Sequence, residues 1–145
     1  MRVEKCVCIV VDAYSTGKKL ALDFKSKGYD CIHIQSTGTL PDNKFAHQKN
    51  DFIKNLIYND NINDLLVELT GYTIKVCIPG SESGVALADT LSEKLGLPTN
   101  GTFYSQARRN KYQMIEVVQQ AGLKTVKHMK SKDPKEIIDW AEREV

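Results

Sequence analysis

The most constraining feature of this sequence is a short, almost continuously apolar run near its start, Cys6–Val11, followed directly by a polar, turn-forming segment, Asp12–Gly17. Strict alternation of polar and apolar residues would indicate a strand with one solvated face. An unbroken β-branched run is typical instead of a strand that is buried on both faces. Sheets that are covered on both faces are mostly parallel, with helices as the connections. The run therefore predicts an α/β domain with a parallel sheet.

The residues after this run alternate between helical and strand patterns. Helices are predicted over 18–27, over 62–69 with Asn61 as N-cap, and over 85–95, and strands over 29–36, 52–58 and 74–78. Ser15 or Thr16 is available to cap the first helix. Segment 37–50 has no clear period and is interpreted as a loop. The alternation predicts a doubly wound, mostly parallel sheet over residues 1–104, in which 6–11, 30–35 and 74–78 are neighbouring parallel strands.

The pattern changes after Pro98, so residues 105–145 are assigned to the beginning of a second domain. A helix is predicted over 105–121, a strand over 124–129, and a last helix that starts at Pro134 with Asp133 as its cap. The last helix carries an apolar stripe that needs a packing partner. We therefore expect the chain to be a truncated piece of a longer protein.

Cysteine usage and charge narrow the class of protein. The four cysteines are Cys6, Cys8, Cys31 and Cys77, and they lack the close pairing of a zinc site, so we interpret them as buried core thiols in a reducing, cytoplasmic compartment without a metal. Basic and acidic side chains number 20 and 18, which gives no reason to expect a nucleic-acid or membrane surface. No apolar run approaches the roughly 20 residues that span a bilayer.

Two polar segments follow predicted strands at the edge where open parallel sheets bind ligands. The first is Asp12–Gly17, which provides Tyr14 and Ser15, and the second is Gly80–Gly84, which provides Ser81, Glu82, Ser83 and Gly84. In the second segment two glycines let the backbone approach a ligand, the two serines offer hydroxyls, and Glu82 could bind an ammonium group. The alternative is that Glu82 only complements a helix dipole and that a serine only caps the helix.

Other motifs fail at particular positions. The segment Ser15–Lys19 has some likeness to a phosphate-binding loop, but that motif needs glycine where Asp12 stands and a hydroxyl where Lys19 stands. No dinucleotide-binding fingerprint follows the first strand, and a receiver domain would need an acidic partner for Asp12. The three histidines, His33, His47 and His128, are interpreted as ordinary surface or core residues. These observations predict no catalytic group within the chain.

Two later segments carry a resemblance to a known family. They are Ile78–Gly84, continued by Leu95–Asn100, and Ala107–Met114, continued by Gln120–Leu123. The chain resembles the pre-ATP-grasp domain of ATP-grasp ligases, followed by the first elements of the ATP-grasp domain. The likeness is most specific over residues 78–123, and it is nearest to carboxylate–amine ligases and to carbamoyl-phosphate-synthase-like proteins.

The resemblance implies a reaction and a set of ligands. ATP with Mg²⁺ would phosphorylate a small-molecule carboxylate, and an amine would then attack the acyl phosphate. Lys111 matches the family's first lysine that reaches the phosphates of ATP. The family's second lysine, glycine-rich loop and metal ligands come later than this chain extends, so we expect the chain alone to be inactive. A homodimer is compatible with this interpretation. The alternative function is a stand-alone, non-catalytic module that binds a small molecule.

Overall fold

Four parallel strands form the sheet in the computed structural model of the protein, which describes residues 5–39 and 49–144. They are β1 (Lys5–Val11), β2 (Asp30–Gln35), β3 (Lys54–Ile57) and β4 (Tyr72–Pro79), in the order β3-β2-β1-β4. β1 pairs in parallel with both β2 and β4. The predicted neighbours 6–11, 30–35 and 74–78 are therefore confirmed, and the central position of β1 explains its unbroken apolar run.

Helices cover both faces of this sheet. They are α1 (Leu20–Ser26), α2 (Ile62–Glu68) and α3 (Val85–Lys94), and 3₁₀ turns precede α1 at Ser15–Lys19 and α3 at Glu82–Gly84. Asn61 caps α2 as predicted, since its side chain accepts a hydrogen bond from the Asn63 N–H. The predicted doubly wound α/β class is confirmed, because helices lie on both sides of an all-parallel sheet.

The two faces of β1 belong to different cores. Val7, Ile9 and Val11 pack in one cluster with residues of α2 and α3, among them Leu65 and Leu91. Cys8 and Val10 pack on the other face with Ala13, Ala21 of α1 and Phe52. Successive side chains of a strand point to opposite faces, so a strand between two helical layers has to be apolar at every position.

The chain divides into two compact units, the first ending at Thr102 and the second starting at Phe103. The second unit contains α4 (Ser105–Arg109), α5 (Lys111–Gln120) and α6 (Pro134–Glu144). The Lys135 N–H donates to the Asp133 carboxylate at 2.9 Å, which is the predicted cap of α6. The assignment of this unit to the opening of an ATP-grasp domain stays a prediction.

Two sequence predictions for the second unit are wrong. Residues 124–129 form no strand, because the described residues of this unit contain no other strand to pair with them. The helix predicted over 105–121 is broken at Asn110, whose backbone is extended (φ −112°, ψ 111°). The Asn110 side chain accepts a hydrogen bond from the Gln113 N–H at 3.1 Å and so caps α5. Asparagine favours such caps over helix interiors.

Three predictions for the first unit need correction. Neither Ser15 nor Thr16 caps α1. The helix continues directly from the 3₁₀ turn, and Lys19 occupies its N-cap position. Cys6 is exposed rather than buried, because its face of β1 is covered only from Cys8 onward. The strand predicted over 52–58 is shorter, since Phe52 and Ile53 precede β3. The predicted loop over 37–50 lies largely outside the described residues, as does His47.

Candidate functional site

Asp12 is the residue that joins the strand ends at the carboxyl edge of the sheet. Its side chain is 1% exposed, although it directly follows the central strand β1. One carboxylate oxygen accepts from the Ser36 N–H at 2.7 Å, and the other accepts from the hydroxyls of Ser36 and Ser83, each at 2.6 Å. Ser36 follows β2 and Ser83 lies between β4 and α3, so one buried carboxylate fixes three segments.

Close backbone approach holds the two loops of this edge together. A Cβ atom added to Gly17 would lie 2.0 Å from the Gly80 carbonyl oxygen, and one added to Gly84 would lie 2.6 Å from the Val11 carbonyl oxygen. The Gly80 N–H donates to the same Val11 oxygen at 2.7 Å. Only glycine leaves room for these contacts. Asp12 itself adopts φ 53°, a left-handed conformation that aspartate tolerates better than most residues.

The second predicted segment is organised by its serines. The hydroxyls of Ser81 and Ser83 lie 2.8 Å apart, and the Ser83 hydroxyl donates a hydrogen bond to the Asp12 carboxylate. No side-chain hydrogen bond of Ser81 caps the 3₁₀ turn, and Gly84 occupies the N-cap position of α3. The capping alternative for these serines is therefore not supported. Glu82 is solvent-exposed in the first turn, where it also complements the helix dipole.

The two residues of the first predicted segment, Tyr14 and Ser15, differ in their exposure to solvent. Ser15 is exposed and has φ 52°. Tyr14 is only 8% exposed, and its ring lies edge-on to His33 at 5.9 Å between centroids. Burial, and after it the negative charge of Asp12, raises the pKa of the Tyr14 phenol above its ordinary value. Tyr14 thus stays protonated over the physiological pH range and contributes to the packing beneath the loop.

A cavity of about 290 Å³ opens beside the Asp12 network. Its walls come from the ends of β2 and β3 and from the start of α3. The lining residues are Ser36, Thr37, Tyr58, Ser83, Ala86, Leu87 and Thr90. The cavity therefore combines an apolar floor with several hydroxyl groups, at the edge of the sheet where parallel α/β proteins bind ligands.

Lys111 lies in the second unit and is exposed at the first position of α5, directly after the capping residue Asn110. Arg108 and Arg109 end the preceding helix α4, so three cationic residues lie within four positions of the chain. A cationic group at a helix N-terminus suits phosphate oxygens, which such helix ends bind through free N–H groups. The local sequence of Lys111 thus fits a nucleotide phosphate.

Neither a metal cluster nor a membrane span is found in the described part of the chain. Within residues 5–39 and 49–144, no group of three or more His, Cys, Asp or Glu side chains could hold a metal ion. Over the same ranges, no helix is both long and apolar enough to cross a membrane.

Sequence reasoning missed one central residue of this edge, Ser36, and placed Asp12 at the start of a candidate segment without giving it a role. The sequence patterns present Asp12 as the first residue of a turn-forming segment and as a mismatch to other motifs, and Ser36 only as the end of a predicted strand. A positional signal could have found both, since each directly follows an apolar strand and those strands are predicted neighbours. The carboxyl ends of neighbouring parallel strands meet at one edge, which brings such residues together.

Similar solved structures establish the fold of the chain. The L-amino acid ligase from Bacillus licheniformis matches with a TM-score of 0.59 and 12% identity over 99% of this chain and 41% of that chain. Phosphoribosylglycinamide synthetase from Anaerococcus prevotii matches with a TM-score of 0.57 and 17% identity, over 97% and 35% of the two chains. At these identities the matches establish the fold, which is that of the pre-ATP-grasp domain of ATP-grasp ligases. No family model matches the chain.

A particular relative is recognisable from the sequence itself. Dapdiamide A synthase from Enterobacter agglomerans, an ATP-grasp ligase, is 37% identical over 141 residues, which cover 94% of this chain. The match covers 33% of the synthase, so this chain spans about a third of the length of its curated relative. The resemblance to ATP-grasp ligases is thus confirmed: this chain is homologous to a third of one of them.

Proposed function

We propose that this chain is the part of an ATP-dependent carboxylate–amine ligase that carries the substrate-binding loops and one ATP-contacting lysine. The observation that carries the proposal is the 37% identity with dapdiamide A synthase over 141 residues. The Asp12 network supports it, because the network orders the loop edge where parallel sheets bind small molecules.

The proposed reaction proceeds through an acyl phosphate. A carboxylate oxygen of one substrate attacks the γ-phosphorus of ATP and ADP leaves; the amine nitrogen of the other substrate then attacks the acyl carbon, phosphate leaves, and the nitrogen loses a proton. We assign the loop Ser81–Gly84, with Tyr14 and Ser15, to substrate binding. Ser81 and Ser83 would orient a polar substrate group, and Tyr14 would support the loop from below.

Lys111 is assigned to the phosphates of ATP, because it is an exposed cation at the start of α5 beside Arg108 and Arg109. Charge-assisted hydrogen bonds to phosphate are among the stronger polar contacts. We assign the Mg²⁺ ligands to a part of the ligase other than the described residues. Residues 1–145 alone are then expected to show no ATPase or ligase activity.

A chimera tests this function. The chain replaces the matching third of dapdiamide A synthase, and ligation is followed by phosphate release and by mass spectrometry of the product. We expect ATP-dependent ligation by the chimera and none by the chain alone. Lys111→Ala in the chimera should lower kcat/KM for ATP by about tenfold or more, the loss of one charge-assisted contact.

The matched control is Lys132→Ala, another exposed lysine of the same unit. This variant should leave the kinetics with ATP unchanged. Equal effects of the two substitutions would contradict the assignment of Lys111. A folded chimera without ATP-dependent ligation would contradict the proposed function and favour the stand-alone binding module.

A further inference from the structure

Hydrogen bonds within the protein decide whether the hydroxyl groups of the cavity beside Asp12 can donate to a ligand or only accept from it. Four of its lining residues carry aliphatic hydroxyls, namely Ser36, Thr37, Ser83 and Thr90. The hydroxyl protons of Ser36 and Ser83 are directed to the Asp12 carboxylate, each at 2.6 Å. An ionised carboxylate has no proton to give, so both serines must be the donors.

The two threonines use their protons in the same way. Thr37 Oγ1 donates to the Thr39 carbonyl oxygen at 3.1 Å, and Thr90 Oγ1 donates to the Ala86 carbonyl oxygen at 2.9 Å. A hydroxyl has one proton and two lone pairs. All four hydroxyls have therefore committed their protons to the protein, and they offer a ligand lone pairs only.

The hydroxyl of Ser81, in the loop next to the cavity, is also a donor within the protein. Because Ser83 donates to Asp12, the 2.8 Å contact between Ser81 and Ser83 requires Ser81 to be the donor. Its proton is committed as well. The described residues that line the cavity include no lysine or arginine, and the buried Asp12 carboxylate lies directly behind two of them, Ser36 and Ser83. Tyr58 also lines the cavity, and its phenol can donate as well as accept. The four aliphatic hydroxyls with a carboxylate behind two of them disfavour an anion and complement a donor that carries positive charge.

We propose that this cavity binds the primary ammonium group of a small organic molecule, with Asp12 as the counter-charge behind Ser36 and Ser83. An ammonium group has three donors and no acceptor, which matches the lone pairs of the four aliphatic hydroxyls. The apolar floor of Ala86 and Leu87 accommodates a short hydrocarbon portion. That the natural occupant is an amino-group-bearing substrate of the ligase rests on the proposed function; the binding itself does not.

The test uses the 145-residue chain and three probes of nearly the same shape: propylammonium, 1-propanol and propionate. Binding is measured from the chemical shifts of the backbone amides of Ser36, Thr37 and Ser83. Propylammonium should shift these amides saturably, in the millimolar range expected for so small a probe. Propanol and propionate should shift them weakly or not at all. Shifts with propionate or propanol that equal or exceed those with propylammonium would overturn the proposal, an anion site at the start of α3 being the outcome with propionate.

Two substitutions locate the effect. Asp12→Asn removes the charge at constant shape and should weaken propylammonium binding by about tenfold or more. Thr90→Val removes one acceptor from the cavity and should weaken it by about threefold, the worth of a neutral hydrogen bond. Thr90→Val also keeps the test decisive if Asp12→Asn fails to fold.

The control is Thr70→Val, because Thr70 makes the same kind of hydrogen bond, to the Leu66 carbonyl oxygen at 3.3 Å, away from the cavity. It should leave binding unchanged, and equal affinity in the Thr90 and Thr70 variants would contradict the proposal. The proposed ligase function can fail separately. Propylammonium binding with an inactive chimera leaves the site in place, whereas an active chimera without this binding removes the site and leaves the function.

Discussion

The two units of this protein differ in what their apolar side chains do. In the first unit, the sheet and its helices bury side chains such as Val7, Ile9 and Leu91 completely. In the described part of the second unit, Ser105 alone is buried, and Leu123, Val126 and Ile138 are all more than half exposed. The amphipathic patterns of α5 and α6 thus form helices without forming a core. Helix periodicity predicts a local structure, whereas burial depends on a second layer.

Polar contacts, and not a buried core, connect the segments of the second unit to one another. The His128 ring nitrogen Nε2 lies 2.6 Å from the Glu116 carboxylate, and Lys127 Nζ lies 3.2 Å from that of Glu144. These contacts link the irregular segment after α5 to α5 and to α6. Lys127 is largely exposed, and ion pairs at the surface contribute little stability, typically about 0–1 kcal/mol each. The second unit is therefore expected to be the less stable of the two.

The largest expected effect compares one apolar side chain from each unit. Leu91→Ala removes a fully buried side chain of α3 and should lower the free energy of unfolding by about 2–5 kcal/mol. Ile138→Ala removes a side chain of α6 that is 55% exposed, and should change it by no more than about 0.5 kcal/mol. Urea unfolding of both variants makes the measurement. Similar losses in the two variants would show that the second unit has a core of its own.

The next effect compares two glycines that are required for different reasons. Gly17→Ala places a Cβ atom against the Gly80 carbonyl oxygen and should cost about 1–3 kcal/mol through overpacking. Gly122, which follows α5, has open space around it but φ 77°, so Gly122→Ala should cost only about 1 kcal/mol. Thermal melts report both values.

The control for both glycines is Gly38→Ala, because none of the described residues lies within 4 Å of the position that its new Cβ atom would take and its φ is not positive. It should be nearly neutral. A loss in Gly17→Ala no larger than that in Gly38→Ala would contradict the close packing of the two loops at the edge of the sheet.

A smaller effect concerns the stability of the first unit at alkaline pH. All four cysteines of the chain lie in that unit. Burial raises the pKa of the Cys77 thiol to about 12, opposed by a hydrogen bond with Ser92 and supported by the charge of Asp89. The folded state then holds this proton more tightly than the unfolded state does. Stability from this group is fully present below about pH 9 and is lost as the pH rises towards about 12.

At about pH 10 the loss from Cys77 should be on the order of 1 kcal/mol. Cys77→Val removes the titrating group and should flatten the decline in unfolding free energy between about pH 9 and pH 10. Cys6→Val, at an exposed thiol, should leave the decline unchanged. An identical pH profile for both variants and the parent chain would contradict the shifted thiol.

The fold of the first unit could be predicted because its strands and its helices both leave clear patterns in the sequence. The unbroken run of β1 indicates a strand in the middle of the sheet, and Asn61 and the glycines mark helix ends by local chemistry. The strand predicted over 124–129 was wrong because a strand depends on a distant partner that no local pattern reports. The break at Asn110 was missed because Tyr112, Ile115 and Val118 continue a helical stripe beyond it.

The candidate site was predictable only in part. The loop from Ser81 to Gly84 was found from its position after a strand, and the structure places it beside a cavity. The role of Asp12 was not found, because a buried aspartate that bonds residues 24 and 71 positions away leaves no local pattern. Hydrogen-bond direction, which decides the polarity of the cavity, is a property of tertiary contacts and not of residue types.

The smallest expected effect tests Glu82 against a matching acid of the second unit. Glu82 precedes α3 and Glu136 lies in the first turn of α6, so both complement a helix dipole, a contribution of about 0.3–1 kcal/mol. If that is the whole role of Glu82, Glu82→Gln and Glu136→Gln should each lower stability by no more than about 1 kcal/mol. Because we assign Glu82 to the substrate loop, Glu82→Gln in the chimera should also raise KM for the carboxylate substrate while leaving KM for ATP unchanged. Glu136→Gln should change neither constant. Thermal melts with steady-state kinetics separate the two roles, and a change confined to the melting temperature of Glu82→Gln would remove Glu82 from the site.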